Sequence, residues 1–204
     1  MSATSPSRNE QVVVRELSGP RAVAAGVVFA LKRRWYAARY PTLEMGRHVK
    51  FVGRLRLRGG TRLVLGDNVR LRKQVRVNGG GTVTVGADTL LNGCFLISAT
   101  EITIGPRCLV SDAGILDNDF HNLPPALRHE PPTELTRAPV HIEENVWIGA
   151  HALVLKGVRI GRDSAVGAGA VVRADVPAQC VVSGNPATVV KRFASAEPGP
   201  PGRS

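Results

Sequence analysis

A chain of 204 residues with a net charge of +11, 43% hydrophobic residues and 22 glycines but only 4% aromatics is long enough for one domain. It is too poor in large rings for a core built on them. The three cysteines, Cys94, Cys108 and Cys180, are far apart and form no CxxC pair, which excludes a zinc site and a disulfide frame and leaves reduced, packed thiols in a cytoplasmic protein. The longest apolar run, Ala22 to Leu31, is about half of the ~20 residues a membrane span needs. Lys32-Arg33-Arg34 follows that run instead of leading it, unlike a signal peptide.

The positive charge is clustered. Lys32, Arg33, Arg34 and Arg39 form one group, and a second runs from Arg47 to Arg76 with Asp67 the only acid inside it. Such a group is either a solvated basic face or an attraction for something anionic: a phosphorylated cofactor, a glycolipid headgroup or a membrane surface. No nucleic-acid motif and no aromatic stacking platform accompanies it, so nucleic acid is not an expected partner.

Residues 1–45 read as an arm. Its first nineteen residues are polar or mixed and are expected to be poorly ordered at their start. From Pro20 to Tyr40 the pattern is helical: Val23, Val27, Leu31 and Trp35 recur at helical spacing, and Pro41 ends the run. That stripe is expected to pack on the rest of the domain or on a neighbouring subunit. The alternative is peripheral membrane association through residues 20–40, because basic residues flank an apolar face that carries a tryptophan.

From about Gly46 the period changes. Leu65, Leu71 and Val77 mark one set, Val85, Leu91 and Ile97 a second, and Ile104, Val110 and Leu116 a third. Between Ile142 and Val172 the spacing becomes strict, with Ile142, Ile148, Val154, Ile160, Val166 and Val172 six apart. Small or β-branched residues stand four places after each: Val146, Ala152, Val158, Ser164, Ala170 and Val176. A period of six matches neither the 3.6 of a helix nor the 2 of an isolated strand. It fits a chain wrapping a triangular prism, one short strand per face and about 18 residues per turn, which is the hexapeptide pattern of a parallel β-helix. The solenoid is expected over 46–188. The segment 189–204 follows, with a tail from Ser195 that is rich in glycine and proline and expected to be disordered.

The repeat fails once, between about Asp117 and Pro139, where five prolines replace the period. Loops thrown out of regular scaffolds are disproportionately functional. This one opens with Asp117-Asn118-Asp119-Phe120-His121. A histidine beside two acids is suited to general-base work, since imidazole titrates near neutrality and a carboxylate can orient it.

The stretch from about Leu91 to Val190 resembles the hexapeptide acyltransferases, in particular the maltose, galactoside and polysaccharide O-acetyltransferases. The matching strings, in family order, are Ile102-Thr-Ile-Gly105, Asp117-Asn-Asp-Phe-His121, Ile142-Glu-Glu-Asn-Val-Trp-Ile-Gly149, Val166-Gly-Ala-Gly169 and Val182-Ser-Gly-Asn-Pro-Ala187. They cover about half the chain. The resemblance implies an all-β, left-handed parallel β-helix with a short N-terminal helix and one extruded loop. It implies a homotrimer that binds acetyl-CoA between subunits and needs no metal. The implied activity is O-acetyl transfer to a hydroxyl of a sugar, polysaccharide or glycolipid precursor.

By position, His121 takes the proton from the acceptor hydroxyl, and the Ala150 backbone N–H faces the developing oxyanion. Asn92 and Asp119, with Asp117 beside them, fall where the acceptor binds; Asp119 could instead orient His121. Trp147, Gly149, Ala150, Gly167 and Ala168 line the pantetheine arm. Relatives often carry a Thr-Lys or Thr-Arg pair where this chain has Arg173-Ala174, so the resemblance implies that Arg173, or Lys191 and Arg192 further on, supply the charge for the phosphates. Antibiotic-modifying acetyltransferases share the coil and the loop histidine and are the alternative. Gamma-type carbonic anhydrases share the coil too, but they bind zinc through a His-x4-His pair. His48, His121, His129, His141 and His151 contain no such pair. A non-catalytic scaffold would lack the loop histidine.

Overall fold

The computed structural model describes residues 20–194. The polar start of the chain and the tail from Ser195, both expected to be disordered, lie outside the described residues. Short strands wrap three faces. The first face stacks Leu43–Met45, Arg62–Leu65, Thr82–Val85, Glu101–Ile104, Val140–Ile142 and Arg159–Ile160. The second stacks seven parallel strands from Lys50–Phe51 to Cys180–Gly184, and the third six from Arg54–Leu57 to Val171–Val172. The neighbours from coil to coil are parallel and in register, Leu65 beside Val85, Val85 beside Ile104, Ile104 beside Ile142. This is a parallel β-helix, consistent with the left-handed coil that the resemblance implies.

Alternation along each strand turns one aliphatic side chain inward per face, and stacking aligns these in columns. Leu65, Val85, Ile104, Ile142 and Ile160 form one such column, all buried. Each such side chain stabilises the fold by roughly 1.5–3 kcal/mol. The corner between the first and second faces repeats a left-handed residue in coil after coil: His48, Asn68, Asp88, Arg107, Asn145, Asp163 and Gln179, all with φ of 55–60°. Asn and Asp tolerate that conformation best. The amide of each from Asn68 onward donates to a carbonyl of the preceding coil, as in Asn68 to Arg47 (2.8 Å) and Arg107 to Ala87 (2.9 Å).

Corner carboxylates add a second tie. Asp67 accepts from the Arg47 amide at 2.7 Å and pairs with its guanidinium. Glu143 accepts from the Arg162 amide at 2.8 Å and pairs with Arg159. These backbone donors, with the paired arginines, hold both carboxyls below their ordinary range.

Two expected core positions are one residue off. Ile97 and Leu116 are only partly buried, while Leu96 and Ile115 fill the column with Val77, to which Leu96 is the direct partner. The cause is a corner shortened by one residue. The intervals Leu91–Leu96 and Val110–Ile115 are five residues where Ile148–Val154 is six. Gly93 and Asp112, with φ of 77° and 45°, make the tighter turn.

The helix Pro20–Arg39 closes the first coil, but with a different face from the one expected. Val27, Leu31 and Trp35 are 55–61% exposed, and the Val23 side chain lies outside the described residues. The side that packs carries Tyr36, whose ring lies 4.4 Å from Phe51 and whose hydroxyl accepts the Leu55 amide at 2.9 Å. Lys32 donates to the Phe51 carbonyl at 3.0 Å and Arg33 to the Gly46 carbonyl at 3.1 Å. Hydrogen bonding, not apolar periodicity, chose the packed face: the first coil has open strand edges to satisfy, and the Val27 and Leu31 side chains have nothing to donate.

At the other end the chain continues past Val176. Cys180–Gly184 extends the second face, and Ala187–Arg192 folds back on it antiparallel, so part of the 189–204 segment is a strand.

Candidate active site

The loop that breaks the repeat is a built structure. At its first foot Asp117 is fully buried. Its carboxylate accepts from Ser98 Oγ (2.9 Å), the Ala99 amide (2.6 Å), the Thr100 amide (2.8 Å) and hydroxyl (3.1 Å), and Asn118 Nδ2 (3.1 Å). A carboxylate so occupied is an anchor. Its expected place among the acceptor-binding residues is corrected: no oxygen lone pair is left facing solvent.

The second foot is tied to the first. Ala138 donates to Asp117 O at 2.9 Å, Asp119 to Thr136 O at 2.8 Å, and Asn118 bridges to Arg137. Asn122 is the hub of the excursion. Its amide nitrogen reaches the carbonyls of Leu127, Glu130 and Pro131 at 3.0–3.2 Å, and its oxygen accepts the Thr133 amide. Between foot and hub, Phe120 takes φ of 63° and His121 stands exposed. The His121 amide is held by Asp119 O at 2.8 Å, but no hydrogen bond reaches its imidazole among the described residues. Asp119 does not orient that ring. Its carboxylate pairs with Lys156 at 2.6 Å, and Lys156 also donates to Leu135 O at 2.7 Å.

Sequence reasoning missed Asn122 and Lys156. Asn122 looked like one more polar loop residue. Lys156 sits in the regular repeat, with no local signal that it reaches across to the loop.

The other expected site residues lie elsewhere on the prism. Asn92 ends a strand of the second face, directly beside Ser111 and Arg72. Trp147 is on the same face, paired with Leu109 and Ala165 and 57% exposed. Ala150 and Ala168 occupy equivalent places at the corner between the second and third faces. Neither donates its N–H to a backbone carbonyl among the described residues, while Gly169 donates to Ala150 O at 2.8 Å. Gly149 and Gly167 have a reason of their own to be glycine. A Cβ would stand 2.8 Å from the Ala168 amide or from Ser183 Oγ of the next coil. Arg173 is exposed beyond the end of the third face, and Lys191 is exposed on the closing antiparallel strand. The expected residues therefore fall in two groups on one protomer, with the loop histidine His121 at one corner and the strip of Asn92, Ala150 and Ala168 at another.

No group of three or more potential metal ligands occurs among the described residues. Cys94, Cys108 and Cys180 are buried and unpaired. Burial pushes the Cys94 thiol up to about 12 and the Cys108 thiol up to about 11, so these two stay protonated at neutral pH. No helix among the described residues is long and apolar enough to cross a membrane.

Residues 139–174 match the family described as bacterial transferase hexapeptide (six repeats). The galactoside O-acetyltransferase of Lactococcus lactis subsp. lactis (strain IL1403) is 34% identical over 131 residues, 63% of this chain and 62% of that protein. A 2,3,4,5-tetrahydropyridine-2,6-dicarboxylate N-acetyltransferase of Staphylococcus aureus (strain JH9) is 52% identical over 63 residues, 31% of this chain and 25% of that protein. The chain thus spans less than two thirds of either relative. Among solved structures, a hexapeptide-repeat acetyltransferase from Vibrio cholerae O1 biovar eltor, complexed with acetyl coenzyme A, superposes with a TM-score of 0.57 at 24% identity, covering 80% of this chain and 79% of that one. An N-acyltransferase from Bacillus cereus gives a TM-score of 0.61 at 17% identity, covering 80% and 90%. At these identities the two structures speak for the fold. Coil and matches agree: the chain is a parallel β-helix with a hexapeptide-repeat segment at 139–174, and over part of its length it is similar to hexapeptide acetyltransferases.

Proposed function

We propose that the protein is an acetyl-CoA-dependent O-acetyltransferase that acts on a hydroxyl of a sugar, a cell-envelope polysaccharide or a glycolipid precursor. The observation that carries this reading is the His121 imidazole. It stands exposed and unbonded on a loop whose first foot is pinned by a buried carboxylate and whose second foot is tied to the first through the backbone. His121 takes the proton of the acceptor hydroxyl, and the oxygen forms a C–O bond to the thioester carbonyl. The undonated Ala150 N–H stabilises the oxyanion as it develops. The C–S bond then breaks and the proton held by His121 passes to the departing thiolate. A thioester is already activated, so alignment and proton transfer are the enzyme's main tasks.

The residues present suit the acyl donor. The exposed face of Trp147 can cover an apolar arm, and Ala165 beside it is too small to block the approach. Arg173 and Lys191 carry charge for phosphates. Asn92 and Asp119 are the acceptor-side residues. Because His121 and the Ala150 strip occupy different corners of one prism, the complete site is assembled between copies of a homotrimer. The exposed side chains of Phe120, Leu123 and Leu135 around His121 are apolar surface for such a neighbour to cover.

The test is release of free coenzyme A from acetyl-CoA with a panel of sugars, glycolipid precursors and hydroxylated antibiotics. The buried cysteines leave the thiol reagent to report coenzyme A alone. Acceptor-dependent release supports the reading. Donor binding with no release for any acceptor would count against it.

The same reading places the protein at the cytoplasmic face of a membrane. Val27, Val28, Leu31 and Trp35 form an exposed apolar stripe on the helix, with exposed Arg34 and Arg39 beside them. This pattern suits an anionic lipid surface. Sedimentation with anionic vesicles is expected for the wild-type chain and is expected to be lost in Leu31→Glu/Trp35→Glu. Both residues are exposed, so the fold should survive. Equal sedimentation of the two would refute membrane association.

A further inference from the structure

Several arginines on the other faces and corners are matched with acids of adjacent coils: Arg47 with Asp67, Arg62 with Glu44, Arg107 with Glu144 and Arg159 with Glu143. The third face offers no such match. Its six strands contain no aspartate or glutamate. Arg56 and Arg76 are direct neighbours across two coils, and Arg58 follows two places after Arg56. None of the three has an ion-pair partner among the described residues. Asp112, at the corner that leads into this face, is taken by Lys73 at 2.6 Å. Stacked like charges repel, so this column costs stability wherever it is left empty.

The three arginines open on one cavity of about 350 Å³, completed by Asn78, Phe95 and Ile97. The cavity has an aromatic wall. The Phe95 ring leans over Gly114, where a Cβ would strike it, and the Arg76 guanidinium lies 5.7 Å from the ring centre. The short corner at Gly93 turns Phe95 and Ile97 outward, because it shifts the inward position from Ile97 to Leu96. The cavity also adjoins the catalytic loop. Ile97, on its rim, accepts the Asp117 amide at 3.2 Å through its carbonyl.

We propose that this cavity binds the diphosphate of the acceptor, so that the sugar receiving the acyl group is a diphosphate-linked one. The proposal rests on the acyltransferase reading above and narrows its substrate class. Three convergent guanidinium groups without a carboxylate match a polyanion, which arginine grips through paired N–H donors. Phe95 offers a flat apolar surface to a sugar ring or base, and Asn78 can bond a hydroxyl. Two sources share this chemistry: a soluble nucleoside diphosphate sugar and a polyprenyl diphosphate sugar in a membrane.

The test begins with inorganic pyrophosphate, titrated calorimetrically against the full chain. Arg56→Gln/Arg76→Gln is expected to weaken its binding roughly 10- to 100-fold. Arg39→Gln/Arg162→Gln, which removes the same charge away from the cavity, should change it little. In the thiol-release assay the first variant should raise the KM for a diphosphate-linked acceptor and leave the KM for acetyl-CoA unchanged. Equal loss of pyrophosphate binding in both variants would overturn the proposal, as would a rise in the acetyl-CoA KM alone. Pyrophosphate binding needs no turnover, so failure of the acyltransferase reading and failure of this site are told apart. Displacement by a soluble nucleoside diphosphate sugar or by a polyprenyl diphosphate sugar in neutral vesicles supports the site and identifies the source. Displacement by neither overturns it.

Discussion

His121→Ala should lower acceptor-dependent release of coenzyme A by roughly 10²–10⁴-fold, the usual worth of a positioned general base. The loss should fall on turnover, with acetyl-CoA binding nearly unchanged. The imidazole makes no hydrogen bond among the described residues and is exposed, so its removal leaves no buried group among them unsatisfied. Thermal stability should stay within about 0.5 kcal/mol of wild type, as for other surface substitutions. A variant that keeps full activity sinks the mechanism. One that loses activity together with its fold would show that the loop, and not the base, had been damaged.

The second large effect is expected at Asp117, for the opposite reason. Asp117→Ala takes the acceptor away from Ser98 Oγ and from the amides of Ala99 and Thr100, three donors at 2.6–2.9 Å. Leaving a buried donor unsatisfied costs about 1–3 kcal/mol, and breaking a whole buried network belongs to the large-effect class of substitutions. A loss of about 3–5 kcal/mol should appear in denaturant unfolding. Limited proteolysis should cut inside 118–137 sooner than in the wild type, because the first foot of the loop has come loose. Turnover should fall further than the folded fraction does. Unchanged stability and unchanged cleavage would show that Asp117 does not anchor the loop.

The coil was legible because its signal is redundant. Ile142 through Val172 repeats the same demand every sixth residue, and any one position could be lost without hiding the period. The phase of the earlier coils was not legible in the same way. A corner with one residue fewer, such as Leu91-Asn92-Gly93-Cys94, leaves aliphatic residues at both Leu96 and Ile97. Periodicity cannot choose between them until the stacking partner Val77 is known. The helix was found by its apolar spacing, yet its packed face was decided by Tyr36, Lys32 and Arg33 reaching the open edge of the first coil. That is a tertiary demand with no trace in a one-dimensional pattern.

The candidate site divides along the same line. His121 drew notice because it stands where the repeat fails, a contrast visible in the sequence alone. The duties of its neighbours were not visible. Asp117 and Asp119 look equivalent two residues apart, but one is buried against Ser98 and Thr100 and the other pairs with Lys156. Which acid is an anchor depends on a strand about 19 residues earlier and a turn 37 residues later. The arginine cavity shows the reverse case. Its basic residues stood out by composition, while their convergence needed the register of three coils.

The two ends of the prism also constrain how copies of the molecule can meet. At one end the helix occupies the terminal carbonyls with Lys32 and Arg33, and at the other the strand Ala187–Arg192 folds back in the opposite direction. Stacked coils are otherwise an open template on which a second copy could add end to end, without limit, into a fibre. With both termini plugged, that polymer is closed off and sideways contact is what remains. A device that keeps the chain from growing lengthwise therefore leaves its flanks, and the projecting loop on one of them, as the surfaces open to a neighbour.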